Sequence, residues 1–189
     1  GELISFHKIS HSIADPADDH TVGYFQTGWR KDPEYPLGLL FDGGAHAMAV
    51  LIHLYGLPKT IYANGVNIRE GFGDYDYVMT SFGYEGGGSG VFSHAAYLEP
   101  SNNRDVILFT GGTVHILDHE IRRIHNDGSS DTIAFEEKDL HESMWAQLYA
   151  DYLGKEDGIC TAEDAAEVIR VFDAIAESIA TGKSVRLKP

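Results

Sequence analysis

The chain has 189 residues, 43% of them hydrophobic and 23% charged, enough for one domain with a real core. Its 29 acidic against 14 basic residues give a formal charge of −15, which repels a polyanion at long range, so nucleic acid is not expected as a partner. No window is apolar enough to span a bilayer and the start lacks a secretory-signal pattern, so a soluble, cytoplasmic chain is expected.

Residues 3–10 predict a first strand of imperfect alternation. Residues 11–36 are rich in Asp, Gly and Pro and lack a sustained period, which predicts a long loop walling a pocket. Trp29 and Arg30 lead from it into Leu39-Leu40-Phe41-Asp42-Gly43-Gly44-Ala45-His46. That stretch reads as an extended segment turning sharply into a helix over about 43–55, with Ala47, Val50, Leu51 and Leu54 as its buried stripe. Asp42 and His46 stand four residues apart, so on a helix the carboxylate orients the imidazole and the two form an acid/base pair. The competing reading makes Asp42 the helix N-cap and His46 a structural histidine. His53, two turns on, is expected to be packed.

Strand-like runs follow over 60–69, 75–84 and 90–98, then a meander over 106–110, 113–117, 120–125 and 132–135. Gly86-Gly87-Gly88-Ser89-Gly90 lacks the dinucleotide-binding glycine order and leads into a strand pattern, so it predicts a hairpin turn. His115, His119 and His125 have no matched carboxylate in sequence and are expected at surface or half-buried positions. A helix with the stripe Trp145, Leu148, Tyr149 and Tyr152 stops at Gly154. Cys160 is the single cysteine, which excludes an internal disulfide and a cysteine metal cluster, and it is expected to be inert packing. Thr161 and Asp164 form a capping box for a last helix with stripe Ala165, Val168, Ile169, Phe172, Ile175, Ala176 and Ile179, ended by Gly182. The sum is an α+β fold, a largely antiparallel sheet with helices on one face.

Within the strands neither parity is polar. Tyr75, Tyr77 and Met79 oppose Val78, Phe82 and Tyr84, and Val91, Ala95 and Tyr97 oppose Phe92, Ala96 and Leu98. Helices cover one side, so the other is expected to be a tyrosine-rich patch that joins a second copy.

Trp29-Arg30, the segment from Gly38 to His46 and the helix end Leu54-Tyr55-Gly56-Leu57-Pro58 together resemble the glucose-fructose oxidoreductase / inositol dehydrogenase / MocA (Gfo/Idh/MocA) family of NAD(P)-dependent oxidoreductases. So do Thr161-Ala162-Glu163-Asp164-Ala165 and the close from Thr181 to Leu187. The family has a Trp-Arg pair, then Gly-Gly-apolar-apolar-x-Asp-x-Gly-x-His, then a helix ending Gly-x-Pro. The resemblance implies that Asp42 and His46 are catalytic, with Gly44 between them, and that Leu37-Gly38 stands where the family has two glycines. It further implies the C-terminal, open-faced sheet domain, which serves substrate binding and oligomerisation, with a homodimer or homotetramer joined at the open face. NAD or NADP would be bound mainly by an N-terminal dinucleotide domain outside residues 1–189. Residue 1 then sits at a domain boundary, and the start at Gly1 reads as that of an expressed fragment. The implied reaction is hydride transfer between a sugar or cyclic polyol and the nicotinamide. Trp29 would supply an apolar wall and Arg30 a hydrogen-bonding cation. His94 and Tyr97 are further substrate-binding candidates by side-chain type. Three readings compete: a metal-dependent hydrolase with Asp42 and His46 as ligands, a non-catalytic dimerisation or ligand-binding module, and NAD-dependent glycoside hydrolysis as in some family members.

Overall fold

A computed structural model describes residues 1–13, 28–32, 37–68, 74–95, 97–117, 119–135, 140–155 and 160–188. They form strands β1 (Leu3–Ile13), β2 (Thr60–Val66), β3 (Tyr77–Gly83), β4 (Ser89–Ala95), β5 (Tyr97–Phe109), β6 (Gly112–Ile116), β7 (Glu120–His125), β8 (Ser130–Ala134) and β9 (Val185–Arg186). The helices are α1 (Leu39–Asp42), α2 (Gly44–Tyr55), α3 (Leu140–Tyr152) and α4 (Ala162–Thr181). One sheet takes all nine strands in the order β8-β7-β6-β5-β1-β4-β3-β2-β9. Among the described ladders β1 and β4 run parallel and the other neighbours antiparallel. The α+β architecture expected from the sequence is the one that forms.

Two strands run longer than their residue pattern. β1 continues through His11 to Ile13, so the loop expected from residue 11 starts later, and residues 14–27 and 33–36 of it lie outside the described residues. β5 begins at Tyr97, nine residues before the apolar run at 106, because its polar first half is held by pairing rather than by burial. Lys8 faces Asp105 in the β1–β5 register, and the two join in a half-buried ion pair at 3.0 Å.

Register sorts the strand residues into two faces. Phe6, Phe92, Val78 and Ile61 are buried on one side, under Leu40, Met48 and Leu51 of α1 and α2. Phe6 stacks on Tyr55 at 4.3 Å, and Phe41 meets Phe172 of α4 at 5.5 Å. The ring of Phe6 lies flat over Gly90, where a Cβ would stand 2.1 Å from it, so the strand is thinned to a glycine at that crossing. The other side aligns Tyr62, Ser81, Val91, His7 and Val106 in one row and Asn64, Met79, Ser93, Ile9 and Arg104 in the next. Tyr62 and Tyr77 are its described tyrosines, and Tyr84 packs with Phe6 on the helix side.

Local chemistry sets the ends of α4. Asp164 N–H donates to Thr161 Oγ1 at 3.1 Å and Thr161 N–H to Asp164 Oδ2 at 2.8 Å, while Gly182 ends the helix in the left-handed region at φ 64°. Its buried stripe runs through Val168, Val171, Phe172, Ile175 and Ser178, leaving Ala165 and Ile169 exposed. The apolar side chains of α3 also differ from expectation: Trp145, Leu148, Tyr149 and Tyr152 are all exposed rather than buried. Among the described residues no helix is long and apolar enough to cross a membrane.

Candidate active site

Leu37 begins the site. It adopts φ 58°, followed by Gly38 at φ 50°, a left-handed pair that β-carbon-bearing residues avoid. Leu37 holds this backbone because its side chain is 2% exposed in the core. Gly38 presses on the backbone of Tyr75, where a Cβ would stand 2.6 Å from the carbonyl oxygen. The chain then coils at once: Leu40 N–H donates to the Leu37 carbonyl and Phe41 N–H to that of Gly38. Residues 39–42 are therefore helical, not the extended approach that their apolar run suggested.

Asp42 closes α1 and is half-buried. The N-cap of α2 is Gly43, without a side-chain cap bond, so the capping role considered for Asp42 belongs to its neighbour. Gly43 has φ −78° and ψ −35°, so the backbone stays in the right-handed coil from Asp42 to His46. The carboxylate-bearing and imidazole-bearing residues thus lie one helical turn apart on one side of the chain. His46 is exposed, and Asp42 stands at the N-terminal end of α2, where the helix dipole favours negative charge.

Gly44 turns the floor of the site toward the sheet. A Cβ there would meet Leu40 Cδ1 at 2.6 Å and His94 Cγ at 3.6 Å, which places the His94 ring directly beneath the start of α2. His94 is 7% exposed and also packs on Phe92 at 5.9 Å. The structure therefore brings His94 to the Asp42–His46 turn, a juxtaposition created by the β4 register and illegible in local sequence. Trp29 is exposed on a short 3-10 turn at Gly28–Lys31. Arg30 shares that turn and Tyr97 opens β5 opposite Ile13, and both side chains lie outside the described residues.

The remaining candidates separate from this site. His53 is exposed rather than packed, and Cys160 is an exposed thiol rather than core. His115 is half-buried and His119 exposed, as expected. His125 does have a carboxylate, Asp131, at 3.1 Å on the neighbouring strand. Among the described residues no three His, Cys, Asp or Glu side chains converge as a metal cage. The Gly86 region is the hairpin expected, with Gly86 and Gly87 at φ 84° and 95° and Tyr84 N–H donating to the Gly88 carbonyl between β3 and β4.

Residues 1–115 match the family described as the GFO/IDH/MocA C-terminal domain. The chain is 25% identical over 191 residues to scyllo-inositol 2-dehydrogenase (NADP(+)) of Bacillus subtilis, covering 94% of this chain and 51% of that protein. Its fold is similar to an oxidoreductase from Thermotoga maritima, with TM-score 0.82 and 22% identity over 99% of this chain and 54% of that one. It is also similar to the WlbA dehydrogenase from Bordetella pertussis, solved with NADH and UDP-GlcNAcA, with TM-score 0.76 and 17% identity over 100% of this chain and 56% of that one. The chain thus spans about half the length of the relatives it matches.

Proposed function

Since the chain belongs to the family of GFO/IDH/MocA C-terminal domains, we propose that it is the substrate-side half of an NAD(P)-dependent oxidoreductase acting on a sugar or cyclic polyol. The observation that supports this reading is the continuous right-handed backbone from Asp42 to His46, which spaces a carboxylate-bearing and an imidazole-bearing residue one helical turn apart at the exposed start of α2. His94 on the sheet below closes the site from beneath.

His46 takes the proton of the reacting hydroxyl at an imidazole nitrogen, and Asp42 holds the ring in the tautomer that leaves that nitrogen bare. A neutral alcohol is a poor hydride donor until its proton begins to leave, so proton removal is the step this chain contributes. The nicotinamide, when bound, supplies the hydride acceptor. The glycine run fits no pyrophosphate here, since it forms a 3-10 turn that enters strand β4 instead of a helix N-terminus. We propose that the dinucleotide is held mainly by a further domain of a longer polypeptide, in keeping with the half of its relatives' length that this chain spans. Trp29, Arg30, His94 and Tyr97 are proposed as substrate contacts. The similarity to a dehydrogenase of scyllo-inositol supports a polyhydroxylated ring as the substrate class.

The test is the longer polypeptide assayed for reduction of NAD and of NADP by a panel of inositols, aldoses and acyclic polyols. A ring polyol or sugar should give the highest kcat/KM. Turnover of simple alcohols or acids alone would refute the substrate class.

A further inference from the structure

On the side of the sheet that faces α2, strand register sets three hydrogen-bonding residues in one row. Ser10 of β1 lies beside His94 of β4 and opposite Asn103 of β5. Alternation fixes the side: Phe6 stands four residues before Ser10 and Phe92 two before His94, and both are buried in the core with Met48 and Leu51 of α2. Neighbouring strands are about 4.8 Å apart, so the row reaches roughly 10 Å from His94 to Asn103. Its inner end lies under Gly44, within the Asp42–His46 turn, and its outer end is exposed at Asn103, with Ser10 half-buried between. Among the described residues the Ser10 hydroxyl and the Asn103 carboxamide have no hydrogen-bond partner. Two residues along each strand on the same side, Lys8 Nζ donates to both carboxylate oxygens of Asp105 at 3.0 Å, so the charges bordering the row answer each other.

We propose that this row is the subsite for substrate hydroxyls remote from the reacting carbon, with Asn103 as its specificity-determining residue. The inference rests on the polyol reading of the Asp42–His46 site and adds to it which part of the substrate is read, and by what. A carboxamide carries an acceptor oxygen and two N–H donors in one plane, so Asn103 serves two adjacent hydroxyls at once, one donating and one accepting. The Ser10 hydroxyl takes the next oxygen inward, toward His94. The row itself selects an uncharged, polyhydroxylated end: a carboxylate or phosphate seated there meets no unanswered cation, an ammonium meets no unanswered carboxylate, and either loses its water without repayment. A substrate lacking these hydroxyls leaves the carboxamide desolvated and unpaired, which is how a polar site rejects a deoxy analogue.

The test uses the longer polypeptide, with kcat and KM measured for its best ring polyol and for the monodeoxy analogues of that polyol, and polyol binding followed separately by saturation-transfer NMR. Asn103→Ala should raise KM about tenfold with kcat within about threefold, the effect of losing about two neutral hydrogen bonds. Asn103→Gln keeps the carboxamide and should recover part of the loss, and Ser10→Ala should raise KM several-fold. The wild type should reject one or two analogues deoxygenated away from the reacting carbon. On those, Asn103→Ala should add no more than about a twofold loss, because the hydroxyl it reads is already gone. Asn102→Ala, one residue along on the opposite face and paired with His11, should leave KM within about twofold and serves as the control. Three results would overturn the proposal: an unchanged KM for Asn103→Ala, an equal loss on every analogue, or an equal loss from Asn102→Ala. Wild-type protein that binds polyol without turnover would overturn the catalytic reading alone; weaker NMR binding by Asn103→Ala would then still support the subsite, and equal binding would overturn it. Wild-type protein that binds no polyol would overturn both.

Discussion

The hydroxyl of Ser178 accepts the backbone N–H of Ala63 at 2.9 Å and donates to the Lys183 carbonyl at 2.7 Å. β9 pairs with β2 only at Thr60 and Ile61, so this side chain of α4 takes over where the strand edge would otherwise be unpaired. Both Ala63 and Ser178 are buried. Ser178→Ala should therefore cost about 1–3 kcal/mol, since it strands a buried donor and the Lys183 carbonyl together. Urea denaturation measures this directly, and a cost under about 0.5 kcal/mol would mean that water replaces the hydroxyl.

Leu37 sets two effects against each other, burial in the core and a left-handed backbone. Leu37→Ala should destabilise by roughly 2–4 kcal/mol, because it loses the side chain and keeps the strain. Leu37→Gly should be more stable than Leu37→Ala by about 1 kcal/mol, reversing their order at ordinary positions. Equal midpoints for the two variants in urea would show that the backbone relaxes out of the left-handed region.

His11 meets Ser93 Oγ through Nε2 at 2.7 Å and packs edge-on against Tyr77, and burial pushes its pKa below the ordinary 6.5. Below about pH 6.5 the unfolded chain then binds more protons at this site than the folded one, so stability falls as the pH drops through that value toward the folded pKa. Below the folded pKa the loss is complete and constant. His11→Gln should reduce the difference between urea midpoints at about pH 7.5 and about pH 5. An unchanged difference would assign the acid sensitivity to other groups.

The open face joins Val91, Ile9 and Met79 across three central strands, all partly accessible and none covered by a described helix. We propose that two copies meet there, as one wet face of an antiparallel sheet would otherwise carry fewer apolar side chains. Sedimentation should give a dimer or a multiple of it, and Val91→Glu should return the chain to 20.8 kDa. A wild-type monomer at micromolar concentration would contradict the interface.

Legibility in the sequence followed the range of the interactions. The cap of α4 at Thr161 and Asp164 and its stop at Gly182 are set within a turn, and both were readable. Residues 102–105 of β5 were not, because they gain their strand by pairing with β1, some ninety residues away. In α2 both Val50 with Leu54 and Met48 with Leu51 satisfy helical spacing, and it is Met48 and Leu51 that join the core with Phe6. The Asp42–His46 spacing was evident, while His94 beneath Gly44 depends on sheet register. A left-handed leucine at 37 has no local signal at all, since its side chain is anchored by distant core residues.

The most direct test of the proposed role of His46 and Asp42 is the initial rate of polyol-dependent NAD(P)H formation by the longer polypeptide carrying His46→Ala. A fall of roughly two to four orders of magnitude is expected with nucleotide affinity unchanged within about twofold, and a comparable or smaller fall for Asp42→Asn. An alanine variant that keeps the wild-type rate while remaining folded would contradict it.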